Sequence, residues 1–144
     1  MCYFTQTVSK EEAMKVKAYE VIEAMPHLQE LGNSKMGGNA MLKVAILLKK
    51  VSDVFKVIEE SRSRIIAENS KRDNEGNVIT GKNEEGEDMP GTVRLTPEGA
   101  EKHKELLHSW VDIDVEPIHY SELAGATAKP SLLVALSSFI ILDD

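Results

Sequence analysis

The chain has 144 residues, of which 42% are hydrophobic, so it is long enough for one domain with its own core. One cysteine, Cys2, excludes an internal disulfide, and a formal net charge of -7 disfavours direct binding to nucleic acid, which needs a basic face. The sequence lacks a signal peptide pattern and any apolar run near the roughly 20 residues that span a bilayer. We therefore expect a cytoplasmic protein without membrane contact.

The first predicted elements are a short strand and an amphipathic helix. Residues 2–8 are rich in β-forming side chains. Ser9 and Glu12 have the spacing of a capping box, so we expect the helix to begin there and to end at Gly32. An apolar residue recurs every three or four positions along it, at Met14, Ala18, Val21, Met25 and Leu28.

A second and much longer helix is the strongest pattern in the sequence, beginning at Asn39 and running to about Asn69. Its repeating positions have the three-and-four spacing of a coiled coil: Met41, Val44, Leu48, Val51, Phe55, Ile58, Arg62 and Ile65. About 30 residues span roughly 45 Å, so we expect an antiparallel hairpin in which the second helix extends beyond the first. The extension needs a partner, either the C-terminal half or a second copy of the chain.

Arg62 is the one charged residue in this series. A charge at such a position either sets the register by pairing with an acidic residue of another helix, or packs its stem and extends its head into water. The sequence leaves both alternatives open.

The glycine-rich stretch at residues 32–39, GNSKMGGN, has the glycine spacing of a phosphate-binding loop. It lacks the Lys-Ser or Lys-Thr pair of that motif, and it follows a predicted helix instead of a strand. Backbone N–H groups at the start of the second helix, with Lys35, could hold an anion. The pattern favours a connection between helices without a ligand.

Residues 70–91 are rich in glycine, asparagine and acidic residues. The alternation that starts at Asp73 suggests a calcium loop, but Val78 stands where an EF-hand needs glycine for its sharp turn. We therefore predict an exposed acidic loop without metal, with short strands over 77–80 and 92–95.

The remaining segments predict a helix, a strand and a final helix. Thr96 and Pro97 suit the start of a helix, whose apolar face comprises Ala100, His103, Leu107 and Trp110. Residues 111–116 then alternate, which predicts a half-buried strand ended by Pro117. Its polar face carries Asp112, Asp114 and Glu116. The last helix is expected near Pro130.

Together these elements predict an α+β, helix-dominated fold: an antiparallel helical hairpin with one long helix, a small antiparallel sheet and a C-terminal helix. We expect a single domain over residues 1–144. The hairpin covers 9–69, the exposed acidic loop 70–91, and an α+β C-terminal half 92–144.

No residue pattern predicts catalysis. G-x-S-x-G and H-E-x-x-H are absent, and the four histidines have neither i,i+4 spacing nor paired cysteines. We predict no catalytic, metal-binding or cofactor-binding residues, and so a protein that is not an enzyme. One alternative is a small metal-dependent enzyme that uses Asp112, Asp114, Glu116 and His119. Another is an acidic mimic of nucleic acid that inhibits a basic host protein, since residues 71–144 hold fifteen acidic and seven basic side chains.

The long helix MLKVAILLKKVSDVFKVIEESRSRIIAEN is followed by DNEGN, by HKELLHSWVDIDVEPI and by SLLVALSSFI. This order of segments, over roughly residues 40–140, resembles a family of small phage-encoded proteins of unknown function. The loop over 81–91 and the first helix depart from the resemblance. It implies a viral context and a non-catalytic role, and it carries no catalytic residues over to this chain.

We therefore expect a phage accessory protein that acts by protein–protein contact, in the host cytoplasm or in the virion. Its partner would be a virion component, a host protein, or a second copy bound through the long helix. The residues expected to make these contacts are Leu48, Val51, Phe55, Ile58, Arg62, Asp112, Asp114 and Glu116.

Overall fold

A computed structural model describes residues 14–89, 91–123 and 126–142, and within them the fold is α+β, as predicted. The helices are α1 (Ala18–Gly32), α2 (Gly38–Asn69), α3 (Pro97–Leu107) and α4 (Pro130–Ala135), with a 3₁₀ turn at Tyr120–Leu123. The strands are β1 (Met14–Lys17), β2 (Gly81–Lys82), β3 (Asp88–Met89), β4 (Trp110–Ile113), β5 (Ile118–His119) and β6 (Ile140–Ile141).

The predicted helical hairpin is confirmed, because α2 packs on α1. α1 buries one stripe of small and aliphatic side chains: Ala18, Val21, Ala24, Met25, Leu28 and Leu31. The N-terminal half of α2 contributes Ala40, Val44, Leu47 and Val51 to the core. In both helices the buried residues recur every three or four positions, so each helix presents one apolar face.

The first helix begins later than predicted. Met14 lies in β1, which pairs antiparallel with β4 so that Met14 stands opposite Ile113. Met14 and Val16 are buried whereas Lys15 is exposed, which is the two-residue alternation of a strand. The backbone N–H of Lys17 then donates to Glu20 Oε2 at 2.8 Å and caps α1. The predicted strand over 2–8 and the predicted capping box lie outside the described residues.

Strand pairing differs from the single small sheet that the sequence predicts. In the described part of the chain β1–β4 and β2–β3 are antiparallel pairs, whereas β5 and β6 are parallel. A parallel pair needs a crossover connection, which α4 provides between β5 and β6. The strand predicted over 111–116 ends at Ile113, because the N–H of Val115 donates back to the carbonyl of Ile113 at 2.8 Å.

Two turns of the same kind shape residues 70–95. Asp73 Oδ1 accepts hydrogen bonds from the N–H groups two and four residues later, each at 2.9 Å, and Asn83 Oδ1 does the same at 3.0 and 2.9 Å. Each turn has a glycine with positive φ, Gly76 at 87° and Gly86 at 83°. Within the segments predicted as strands, 77–80 and 92–95, the structure has isolated antiparallel bridges, Arg72 with Val78 and Ser70 with Leu95. The two-residue strands β2 and β3 instead flank the second turn.

The described residues group into two compact units. The first comprises those of 1–56 and 109–144, and the second is Val57–His108, so the boundary falls inside α2. Among the described side chains, Ile58 is the only buried apolar one that belongs to the second unit. In the same ranges we find no helix with both the length and the apolar character to cross a membrane.

In the second unit the end of α2 meets the start of α3. Thr96 caps α3 as predicted, because its Oγ1 accepts from the N–H of Gly99 at 3.1 Å. The N–H of Thr96 in turn donates to the carbonyl of Asn69 at 2.8 Å. Gly99 packs against the Asn69 side chain so closely that a Cβ on Gly99 would lie 2.3 Å from Asn69 Cβ.

Candidate interaction surface

The long-helix residues predicted to make contacts lie at different depths. Val51 and Ile58 belong to the core, with 0% and 3% of their surface exposed. Leu48, Phe55 and Arg62 are half-buried. Substitutions at the two core positions would therefore change folding before they changed any contact with a partner.

The register of the buried stripe on α2 differs from the predicted heptad series. Met41 was placed in that series but is 54% exposed, and Leu47 is fully buried whereas Leu48 is half-buried. The buried residues Ala40, Val44, Leu47 and Val51 take four- and three-residue steps in the opposite order to the predicted series. The buried stripe is therefore centred on a neighbouring side of the helix, and Met41 falls outside it.

A second apolar face of α2 points away from the core. We call it the apolar patch, and its members are Met41, Leu42, Ala45 and Ile46. Met41, Leu42 and Ile46 are 54%, 61% and 46% exposed. At 100° per residue the four side chains fall within about 140° of the helix circumference. The sequence carried a signal for this patch, since Leu42 and Ile46 are four residues apart and lie outside the predicted series.

A cleft lies beside the apolar patch, in the first unit. Its volume is about 320 Å³, and its lining comprises Lys43, Ile46, Asp114, Val115, Glu116, Pro117, Ile118 and Glu122. We call it the Glu116 cleft. Ile118 is buried, and Val115 and Pro117 are half-buried, so the floor of the cleft is apolar. Ile46 belongs to both the cleft and the apolar patch.

The turn after β4 builds this cleft. β4 stops at Ile113, and the chain bends through residues 114–117 before β5 begins. The N–H of Ile118 donates to the carbonyl of Phe139 at 3.1 Å, which fixes the far end of the bend. The N–H of His119 donates to Glu122 Oε1 at 3.2 Å and so positions the Glu122 carboxylate.

The predicted acidic strand face is therefore divided, which corrects the sequence-based interpretation. Asp112 remains in β4, opposite Lys15, and does not line the cleft. Asp114 and Glu116 follow the end of the strand and do line it. His119, the fourth residue of the proposed metal-dependent enzyme, is in β5 and is not part of the lining.

Charge in the Glu116 cleft is mostly negative. Lys43 forms an ion pair with Glu122, and both side chains are partly exposed. Asp114 and Glu116 are exposed and form no ion pair within the described residues. Three carboxylates and one ammonium group leave the cleft with an excess of two negative charges.

Arg62 contacts α3, but through a histidine instead of the acidic residue that one alternative required, and its acidic neighbour Glu59 lies on its own helix. Arg62 Nε donates to His103 Nε2 at 3.1 Å, and Arg62 Nη1 lies 3.3 Å from Glu59 Oε1. Burial, and next the Arg62 guanidinium, lower the pKa of His103, and Glu59 partly opposes them. At neutral pH His103 is therefore neutral, and its Nε2 accepts the hydrogen bond from Arg62.

The two loops that the sequence offers as possible ion-binding sites are held by hydrogen bonds within the protein. Asp73 Oδ1 accepts two backbone N–H groups and shapes a turn, as described above. In the glycine-rich connection, the N–H of Lys35 donates to Thr127 Oγ1 at 3.1 Å, and the N–H of Thr127 donates to the carbonyl of Lys35 at 3.0 Å. Within residues 14–89, 91–123 and 126–142, no three His, Cys, Asp or Glu side chains are placed together as metal ligands.

Trp110 lies elsewhere than predicted. The sequence placed it on the apolar face of the third helix, but α3 ends at Leu107 and Trp110 begins β4. Its side chain is 66% exposed, and Lys17 Nζ lies 5.3 Å from the centre of its ring. This cation–π contact covers one face of the ring.

Comparison of the chain with known family models, curated proteins and solved structures gave no match in any of the three.

Proposed function

We propose that this protein is a non-catalytic phage accessory protein that acts by binding another protein. The observation that carries the proposal is the apolar patch on α2. Met41, Leu42 and Ile46 are neighbours on one helix face and are about half exposed or more. Single exposed apolar residues are common on monomers, whereas contiguous ones mark interaction sites.

The Glu116 cleft adds polar groups beside the patch. Protein interfaces combine an apolar centre with a polar rim, and Ile46 joins these two features here. The partner is a virion component, a host protein or a second copy of the chain. The sequence pattern over residues 40–140 is the support for a phage context, and with it we propose a location in the host cytoplasm or the virion.

A pull-down with the tagged protein from bacterial lysates, uninfected and phage-infected, tests this function. Mass spectrometry identifies the bound proteins, and analytical ultracentrifugation of the purified protein reports self-association. Virion components recovered only from infected cells would indicate assembly, and one host protein from uninfected cells would indicate a host-directed modulator. A monomer that enriches no protein from either lysate would contradict the proposal.

A further inference from the structure

We infer that the Glu116 cleft is the docking site for a partner segment in which a lysine or arginine adjoins an aliphatic side chain. This inference rests on the proposed function and specifies the chemistry of the partner.

The size and floor of the cleft suit an aliphatic side chain. Its volume of about 320 Å³ exceeds that of one aliphatic side chain and leaves room for a neighbouring one. Ile46, Val115 and Ile118 offer it apolar contact. Burial of a methylene-rich side chain here is favourable because its apolar surface is removed from water.

The charge of the cleft selects a cation next to that side chain. Glu122 already neutralises Lys43, whereas Asp114 and Glu116 have no cationic partner within the described part of the chain. A guanidinium or ammonium group in the cleft would be attracted by both carboxylates. Nucleic acid and anionic lipid surfaces are repelled by the same charges.

Continuity with the apolar patch favours a protein segment over a small cationic molecule. Ile46 lines the cleft and also belongs to the patch with Met41 and Leu42. A segment that fills the cleft therefore extends over exposed apolar side chains next to it. A small molecule would leave those side chains in water.

A selection from a displayed library of random dodecapeptides tests this chemistry. The immobilised full-length protein is the target, and peptides that also bind the Asp114→Asn, Glu116→Gln double variant are removed. Both side chains are exposed, and circular dichroism confirms that the variant is folded. We expect enrichment of Lys or Arg beside Leu, Ile, Val or Met.

The selected peptide, labelled with fluorescein, then gives dissociation constants by fluorescence anisotropy. The double variant should bind it about 3- to 10-fold more weakly, the range expected for two exposed ion pairs. Asp112→Asn is the matched control, since it removes a carboxylate outside the cleft. Ile46→Gln should weaken binding, whereas Val57→Gln, at an exposed position of the same helix, should not.

The inference is overturned if no peptide depends on Asp114 and Glu116, or if the selected peptides are acidic or uncharged. It is also overturned if Asp112→Asn weakens binding as much as the double variant does. A partner found in the pull-down without such peptides would leave the proposed function in place and remove the assignment of this cleft. If peptides of the expected type were selected but the pull-down gave no partner, the assignment of this cleft would stand and the proposed function would be removed.

Discussion

The pair of Arg62 and His103 couples the second unit to pH. The pKa of His103 is lowered from its ordinary value of 6.5, chiefly by burial and next by Arg62. The unfolded chain therefore binds this proton at a higher pH than the folded chain. Stability from the pair is complete above about pH 6.5 and declines as the pH falls towards the lowered pKa of the folded state.

We predict that His103→Gln reduces this acid sensitivity. Glutamine keeps an acceptor near Arg62 Nε but does not titrate in this range. Urea unfolding from pH 7.5 to 5.5 measures the difference, and the other titrating groups are common to both proteins. Wild type should lose more stability on acidification than the variant does. Equal losses would show that His103 does not titrate differently on folding.

Gly99→Ala should destabilise the protein, although alanine favours helices more than glycine does. A Cβ at this position would lie 2.3 Å from Asn69 Cβ, and Asn69 is 8% exposed. Accommodating it requires α3 or the end of α2 to shift, at a cost of about 1–3 kcal/mol. Denaturant unfolding measures this change.

Gly38→Ala is the control for Gly99→Ala, since no atom lies within 4 Å of a Cβ placed on Gly38. Its effect should be small or stabilising. Equal stabilities of the two variants would mean that the close approach of Gly99 and Asn69 imposes no steric requirement.

The helix α2 has one face buried in the core and another face exposed to solvent. Leu47 is fully buried and Leu42 is 61% exposed, so the two leucines form a matched pair. Leu47→Ala should reduce the free energy of unfolding by about 2–5 kcal/mol. Leu42→Ala should change it by about 0.5 kcal/mol or less. Urea denaturation distinguishes them, and similar losses would contradict the orientation of α2.

Local sequence signals account for much of the element order. α2 ends at Asn69 as predicted, and Thr96 caps α3 as predicted. Met14–Lys17 is a strand because it pairs with β4. That partner lies about 100 residues later in the chain, so the local spacing of apolar residues does not indicate the pairing. The two turns at Asp73 and Asn83 do share a short sequence pattern, since DNEGN and NEEGE both place Glu two residues and Gly three residues after the capping side chain.

The candidate site was predictable only in part, for the same reason. Asp114 and Glu116 stand out in the sequence as an acidic alternation. Lys43 and Ile46 come from α2, about 70 residues before them, and Glu122 follows a bend that the predicted strand did not contain. A cleft formed by such distant segments depends on packing, which sequence periodicity does not describe.

In the whole molecule, the buried apolar side chains are distributed unequally between the two units, so we expect the two units to differ in local stability. In the described chain the first unit holds the buried apolar side chains except Ile58. Amide hydrogens within residues 70–95 should therefore exchange faster than those of α1 and of α2 before Lys56. Hydrogen exchange followed by mass spectrometry tests this. Uniform protection across both units would show that the second unit gains stability from other contacts.

The central claim is that the apolar patch of α2 binds a protein partner. Its most direct test compares the amount of partner recovered from infected lysate by wild type, by Leu42→Gln with Ile46→Gln, and by Val57→Gln. Val57 is 62% exposed on the same helix, outside the patch. The account predicts that the double variant stays folded and loses most of the partner, whereas Val57→Gln retains it. Equal recovery by all three proteins would contradict the claim.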